Sequence, residues 1–560
     1  MLTRLKVSGF KNLVDVDVRF GPFTCIAGAN GVGKSNLFDA IKFLSNLATM
    51  PLTEAALSIR GKNSKFSDIR NLFHRVGDNY ASEMSFEAEM IIPRFDLNKS
   101  PGAETKNTVT VYRYKLCLAY QDRNDPILTD PFRIISERLC FVGKDDPDFQ
   151  FPINCDLEWN KRTILFLDKT TDIFSYHANE DNEIIFKSLA GESEIKIDPE
   201  EYPNFEPHRS FLLMRPEFYL ESYPQDFWSK ETVKDSNPKP AQEEESEFFR
   251  FSPISKIVSD QGSLNLISSI FPNDWVRKEM QSWQNFHFEP SALRKPSKFR
   301  DPAQLSSNGS NLPKTLYTIA QNSEEPLNAY GQISRKLSSL IDGVRGVEIK
   351  LDNVEEWLTF MLRYKGGTSL PAHALSDGTL RLLALAVLGL DPYATGVYCI
   401  EEPENGFHPD HIPKVIEQLL DIAVDPQFPV EEYNPLRQVI INTHSPAVVR
   451  LVPDDSLVIA SVTSVKQKGE IFKTVELKGL KDTWRYPKNA ENGNGLRSVY
   501  LGQVFPYLNP TPIAQVKEDF KLPGDEEDDY IEPRRTMDRE DLRAYIPGDQ
   551  KIDNAGNEDV

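Results

Sequence analysis

Gly28-Ala29-Asn30-Gly31-Val32-Gly33-Lys34-Ser35 is the stretch from which the fold is read. A short apolar run, Phe23 to Ala27, leads into it, and a helical pattern with Leu37, Ile41 and Leu44 on one face comes after it. Strand, glycine loop and helix in that order are what a phosphate-binding P-loop requires. The glycines let backbone N–H groups turn inward around a phosphate, and the N-terminus of the next helix adds a favourable dipole. In such a loop the lysine reaches the β- and γ-phosphates and the hydroxyl ligates Mg²⁺. Gly28, Ala29, Asn30, Gly31, Val32, Gly33, Lys34 and Ser35 are therefore the expected nucleotide-binding residues, with ATP-type triphosphate and Mg²⁺ as ligands.

With 560 residues the chain has room for two or three domains and a substantial core. Its mix of 39% hydrophobic and 26% charged residues fits a soluble globular protein with some disordered length. No apolar run approaches the ~20 residues that span a bilayer, so no membrane role is expected. Met1-Leu2-Thr3-Arg4-Leu5 runs straight into strand-like sequence rather than into a signal peptide. Cys25, Cys117, Cys140, Cys155 and Cys399 form no metal-ligand spacing. An odd, dispersed set points to reduced thiols in the cytoplasm. The net charge of −20 argues against a surface uniformly coated by nucleic acid, though not against a local basic groove.

Residues 1–20 alternate with a period of two, Leu5 and Val7 then Val14, Val16, Val18 and Phe20, which predicts an antiparallel pair turning near Gly9 to Asn12. Alternation at Met84–Ile92, Thr108–Leu118 and Phe132–Val142 predicts an antiparallel meander, with Thr163–Leu167 and Glu183–Phe186 as extensions. Residues 1–95 are read as the first lobe of the P-loop ATPase domain and 96–200 as an antiparallel β region. Residues 201–300 are read as an inserted, mainly helical domain with an acidic linker around Glu243-Glu244-Glu245. Arg294-Lys295-Pro296-Ser297-Lys298-Phe299-Arg300, close to Phe286, His287 and Phe288, mixes cations and aromatics as single-strand binders do; a solvated loop is the alternative. Residues 301–465 form the second lobe, 466–517 an extension suited to partner docking, and 518–560 a disordered acidic tail.

The second lobe carries its own block of chemistry. Leu375-Ser376-Asp377-Gly378-Thr379 opens an apolar helix, and Ser376 and Gly378 at its N-terminus make a second phosphate-binding end. Val397-Tyr398-Cys399-Ile400-Glu401-Glu402-Pro403 is a buried strand ending in two carboxylates. With a nucleotide on the P-loop, Glu401 is placed to hold Mg²⁺ through its water, and Glu402 to orient or deprotonate an attacking water. Two unpaired carboxylates at a buried strand's end would be costly without a cation nearby. Gln438 to Thr443 is another apolar strand, and His444 at its end is placed to contact the γ-phosphate, a structural role being the alternative. Strands alternating with helices predict a parallel sheet with its chemistry at the strand C-termini.

In this order the motifs resemble the ABC-type ATPase heads of SMC, RecF and OLD-like proteins, over about 1–95 and 300–465. The resemblance implies an α/β fold: an ABC-type P-loop ATPase head, mixed sheet plus antiparallel β-subdomain, with an inserted α+β domain. Gly28–Ser35 resembles the Walker A loop and Leu375–Thr379 the ABC signature, with Asp377 where glycine is commoner. Glu401 takes the Walker B position, Glu402 that of the catalytic glutamate, Asn405–Pro409 that of the D-loop and His444 that of the switch histidine. The resemblance implies that Ser376, Asp377 and Gly378 act on the nucleotide of an opposite protomer, and hence a homodimer. No Q-loop glutamine is evident; Asn71 or His74 lies in about the right region.

Asn405-Gly406-Phe407-His408-Pro409 and Thr443-His444-Ser445-Pro446 are nearest the OLD-like branch. OLD nucleases continue into a Toprim domain, whereas the strand Ser456 to Ser461 here has no Glu-Gly at its end. An OLD-like head without Toprim resembles the PtuA family of ATPase subunits from Septu-type and retron-associated antiphage systems. That resemblance implies an HNH-nuclease partner of PtuB type and, in retron versions, a reverse transcriptase with its RNA–DNA hybrid. A RecF-like DNA-repair ATPase is the alternative.

Overall fold

Alternate residues of the strand Phe23–Ala27 face two different hydrophobic cores. Phe23, Cys25 and Ala27 belong to one and Ile26 to the other. The neighbouring strands divide in the same way: Val397 and Cys399 point to one side, Tyr398 and Ile400 to the other. Near-continuous apolar runs of this kind are what a parallel sheet covered on both faces demands.

The computed structural model describes residues 1–59, 66–93, 109–121, most of 131–151, short strand segments between 164 and 197, and most of 272–486. The acidic linker, most of the expected insert and the expected acidic tail lie outside the described residues.

The central sheet has six strands, in the order Gln284–Phe286, Gly396–Glu401, Arg437–Thr443, Phe23–Ala27, Leu457–Gln467 and Glu470–Gly479. The first five are parallel and the last is antiparallel to its neighbour. The register sets Ala27 beside Thr443 and Glu401 beside Asn442, so the three motif-bearing strands end at one level. On one face lies the P-loop helix Lys34–Leu47, in a core shared with an antiparallel sheet. On the other lies the signature helix Asp377–Leu390, packed against helices Leu312–Asn322, Pro326–Leu340 and Ile412–Ile422.

The antiparallel sheet begins with Val16–Arg19 and Leu2–Ser8 and continues through Glu83–Pro93, Val109–Tyr120 and Phe132–Phe141 to Thr171–Ala178, Ile184–Ser188 and Ile195–Ile197. It is one sheet across residues 83–141, so its strands join the two regions that the sequence separates near residue 95. Ile164–Leu165 departs from the meander expectation, pairing parallel to Val109–Thr110. A third small sheet is built on the hairpin of Val344–Asp352 and Trp357–Tyr364. Gln438, fully buried, staples the two large sheets: Nε2 donates to Leu2 O and Gly21 O, both at 2.7 Å, and Oε1 accepts from Leu2 N at 2.9 Å.

Two expectations shift. The central sheet reaches back to Gln284 and forward to Gly479, so the second lobe is longer at both ends than 301–465. Arg485 then anchors the next turn, donating from Nη2 to Thr24 Oγ1 at 3.0 Å and from Nε to Arg19 O at 2.9 Å. Burial pulls its guanidinium down to about 10, against the attraction of Asp455. Of the stretch 466–517 expected to dock a partner, residues past 486 lie outside the described residues.

Candidate nucleotide-hydrolysis site

The P-loop leaves its strand at Gly28, whose N–H donates to Thr443 O on the neighbouring strand at 3.1 Å. Gly31 and Gly33 take φ values of 78° and 119°, the left-handed region that glycine enters without a Cβ penalty. A Cβ on Gly33 would lie 2.3 Å from Asn12 Nδ2 and 2.6 Å from Val475 Cγ2. Asn12 is there because it braces the loop: Nδ2 donates to Val32 O at 3.0 Å and Oδ1 accepts from Asn36 Nδ2 at 2.6 Å. Gly33→Ala combines backbone strain with overlap. It should cost about 2 kcal/mol or more and abolish nucleotide binding, as read by thermal unfolding and a fluorescent-nucleotide titration.

Lys34 is buried, and its ammonium donates to Gly28 O at 2.6 Å and Ala29 O at 2.9 Å. An ammonium has three donors, which leaves one for a phosphate. Burial lowers its pKa from the ordinary value, while Glu402, Glu404 and Glu401 oppose that change. Ser35 Oγ donates to Glu401 Oε2 at 3.2 Å. A hydroxyl and a carboxylate side by side at the helix start are the donor set that a P-loop Mg²⁺ takes, with water and phosphate oxygens completing its octahedron. The residues present fit both groups.

Glu402 has φ of 44°, a left-handed conformation rare for a side chain of its size. Asn442 holds it there from the adjacent strand: the Glu402 N–H is shared between Asn442 O at 3.1 Å and Asn442 Oδ1 at 3.0 Å. His444 Nδ1 donates to Glu402 Oε1 at 3.0 Å, and Asn405 Nδ2 donates to Oε2 at 2.6 Å. The carboxylate is thus fixed from two sides while remaining 31% exposed, enough to meet a water. Glu401 is exposed as well. The expectation that both carboxylates bear a burial cost is therefore corrected: the strand is buried, but its last residue projects past the sheet into solvent.

Glu404, by contrast, is buried. It accepts a hydrogen bond from Thr443 Oγ1, whose oxygen accepts in turn from Ser445 N at 2.9 Å. Burial raises the Glu404 carboxyl above its ordinary range, partly offset by the Thr443 bond. Asn12, Asn442 and Glu404 carry no motif spacing, which is why reading the sequence missed them. Asn442→Ala removes one acceptor from a strained backbone. It should cost about 1–2 kcal/mol and lower turnover along with stability, as checked by denaturant unfolding and steady-state ATPase assays.

Ser376 caps the signature helix, its Oγ accepting from Thr379 N at 3.2 Å. Asp377 is ion-paired with Arg294, which also donates to Leu375 O at 3.1 Å. Arg294 of the basic run is therefore folded onto this loop, whereas Lys295, Lys298 and Arg300 stay exposed, Lys298 lying 5.3 Å from the Trp357 ring centroid. Phe286 and Phe288 are buried, so neither ring is open to stack on a nucleic-acid base. Asn71 accepts from Tyr80 Oη at 3.2 Å, and His74 Nδ1 donates to Lys11 O at 2.6 Å, beside the Asn12 brace.

The structure thus brings Gly28–Ser35, Glu401, Glu402 and His444 together at one end of the sheet, with Ser376, Asp377 and Gly378 on a helix of the opposite layer. A histidine strand set between the P-loop strand and the carboxylate strand makes this chain a P-loop ATPase. The family model described as "AAA domain, putative AbiEii toxin, Type IV TA system" matches residues 23–98 and 178–450. That is more than half of the sequence, and the chain belongs to this family. No curated protein matches it.

Similar solved structures include an Smc head bound to the C-winged helix domain of ScpA (14% identity, TM-score 0.36, covering 86% of this chain and 98% of that one). A second is an Smc head with an extended coiled coil bound to the C-terminal domain of ScpA derived from Pyrococcus furiosus (15%, 0.32, 85% and 96%). A third is the SMC head domain from Thermotoga maritima (12%, 0.32, 86% and 99%). No helix among the described residues is long and apolar enough to cross a membrane.

Proposed function

We propose that this chain is the homodimerising ATPase subunit of an antiphage defence complex, whose nucleotide state controls a separate HNH-type nuclease. The observation that carries the dimer is the layering. The P-loop helix belongs to the core on one face of the central sheet, whereas the signature residues cap a helix in the core on the other. Two chains related by a two-fold axis bring each signature to the other's P-loop. Lys34 then holds the phosphates, Ser35 and Glu401 hold Mg²⁺, and Glu402, steadied by His444, takes a proton from the attacking water.

The regulatory role rests on the OLD-like motifs Asn405–Pro409 and Thr443–Pro446 and on the strand next in the chain. That strand, Leu457–Gln467, turns into a hairpin that closes the ATPase sheet, in place of the strand that leads OLD nucleases into Toprim. A family described by a putative toxin also fits conflict between cell and phage better than RecF-like repair. The purified chain should hydrolyse ATP without cutting DNA or RNA. Co-expression with the products of its neighbouring genes should give a stable complex that cuts. Metal-dependent cleavage by the chain alone, lost on changing its own carboxylates, overturns the regulator reading.

A further inference from the structure

Glu402 is tied to the signature helix by a chain of hydrogen bonds through the turn after it. Arg381, near the start of that helix, donates from Nη1 to the carbonyl of Asn405. Asn405 in turn donates from Nδ2 to Glu402 Oε2 at 2.6 Å, and His444 holds the other oxygen. The turn fits closely on the helix. A Cβ on Gly378 would meet the Phe407 ring at 3.3 Å, and one on Gly406 would meet Arg381 Nη1 at 3.0 Å. Glu402 also sits in a left-handed backbone conformation that must be imposed by its neighbours.

We infer that Arg381 and Asn405 are positioning residues that make the placement of the Glu402 carboxylate depend on the placement of the signature helix. The inference rests on the proposed reading in which Glu402 is the general base and the signature helix faces the partner's nucleotide. A carboxylate held at both oxygens has one orientation, and here one of the two holds has its outer end on the signature helix. When the second protomer's triphosphate engages Ser376 and Gly378, the helix carries Asn405 and hence Glu402 with it. A shift of about 1 Å at a catalytic group is enough to change a rate by about a hundredfold.

Steady-state ATPase kinetics of the full chain test this with a double-mutant cycle. Arg381→Gln and Asn405→Ala should each lower kcat about tenfold with KM little changed, and the double variant should be no slower than the slower single. Arg381→Lys, which keeps a donor for the Asn405 carbonyl, should recover most of the rate. Losses that multiply to about a hundredfold in the double variant, or a changed KM with kcat intact, overturn the relay. Glu402→Gln is run alongside. If it turns over normally, the assignment of Glu402 has failed and the relay falls with it. If it is inactive while the other losses multiply, the relay alone has failed.

Discussion

Glu402→Gln is expected to bind ATP as the wild type does while hydrolysing it about 10²–10³ times more slowly, within the range that a positioned general base contributes. Glutamine keeps the length and one carbonyl oxygen, so the bond from His444 Nδ1 survives. The second oxygen becomes an NH₂ facing the Asn405 amide, which meets it by turning its own oxygen inward. The left-handed backbone at residue 402 is unchanged by the substitution, as are the two Asn442 acceptors. What is lost is the carboxylate's ability to take a proton. Stopped-flow nucleotide binding together with phosphate release separates the two effects; wild-type turnover in this variant would remove Glu402 from the chemistry.

Mixing two inactive variants should restore activity. Lys34→Ala removes the ammonium that lies across the P-loop, and should weaken ATP binding in its own chain. Ser376→Arg removes the signature helix's cap, at a cost of about 1 kcal/mol, and puts a bulky cation where the partner's phosphate belongs. A homodimer of either has no intact composite site. A mixed dimer has one, formed by the P-loop of the Ser376→Arg chain and the signature of the Lys34→Ala chain. Random pairing in equal amounts gives half mixed dimers with one working site of two, so about a quarter of wild-type activity should return. Failure to recover activity when mixed dimers have formed would show that each chain completes its own site.

Much of this was legible in the sequence because its signals are local. The P-loop is eight consecutive residues, and the apolar runs at Phe23–Ala27, Gly396–Glu401 and Arg437–Thr443 are continuous. What escaped depends on partners hundreds of residues away. Gln438 reads as one polar residue in an apolar strand, yet it binds Leu2 and Gly21. Asn12 reads as a turn residue, yet it braces Val32 and Asn36. Gln284–Phe286 is too short and polar to announce a strand, but the carboxylate strand supplies the pairing. Arg294 reads as one of several cations in a basic run, and only the fold sets it against Asp377. The left-handed conformation of Glu402 has no sequence signal at all, because glutamate is not a residue that favours it.

The mass and nucleotide content of Glu402→Gln in saturating Mg·ATP test the account most directly. With hydrolysis blocked and binding intact, the chain should move from its nucleotide-free mass to a dimer holding two ATP, and Ser376→Arg added to the same protein should prevent that move. A chain that fills its P-loop with ATP and yet stays monomeric at every concentration would contradict the shared site on which the proposed mechanism depends.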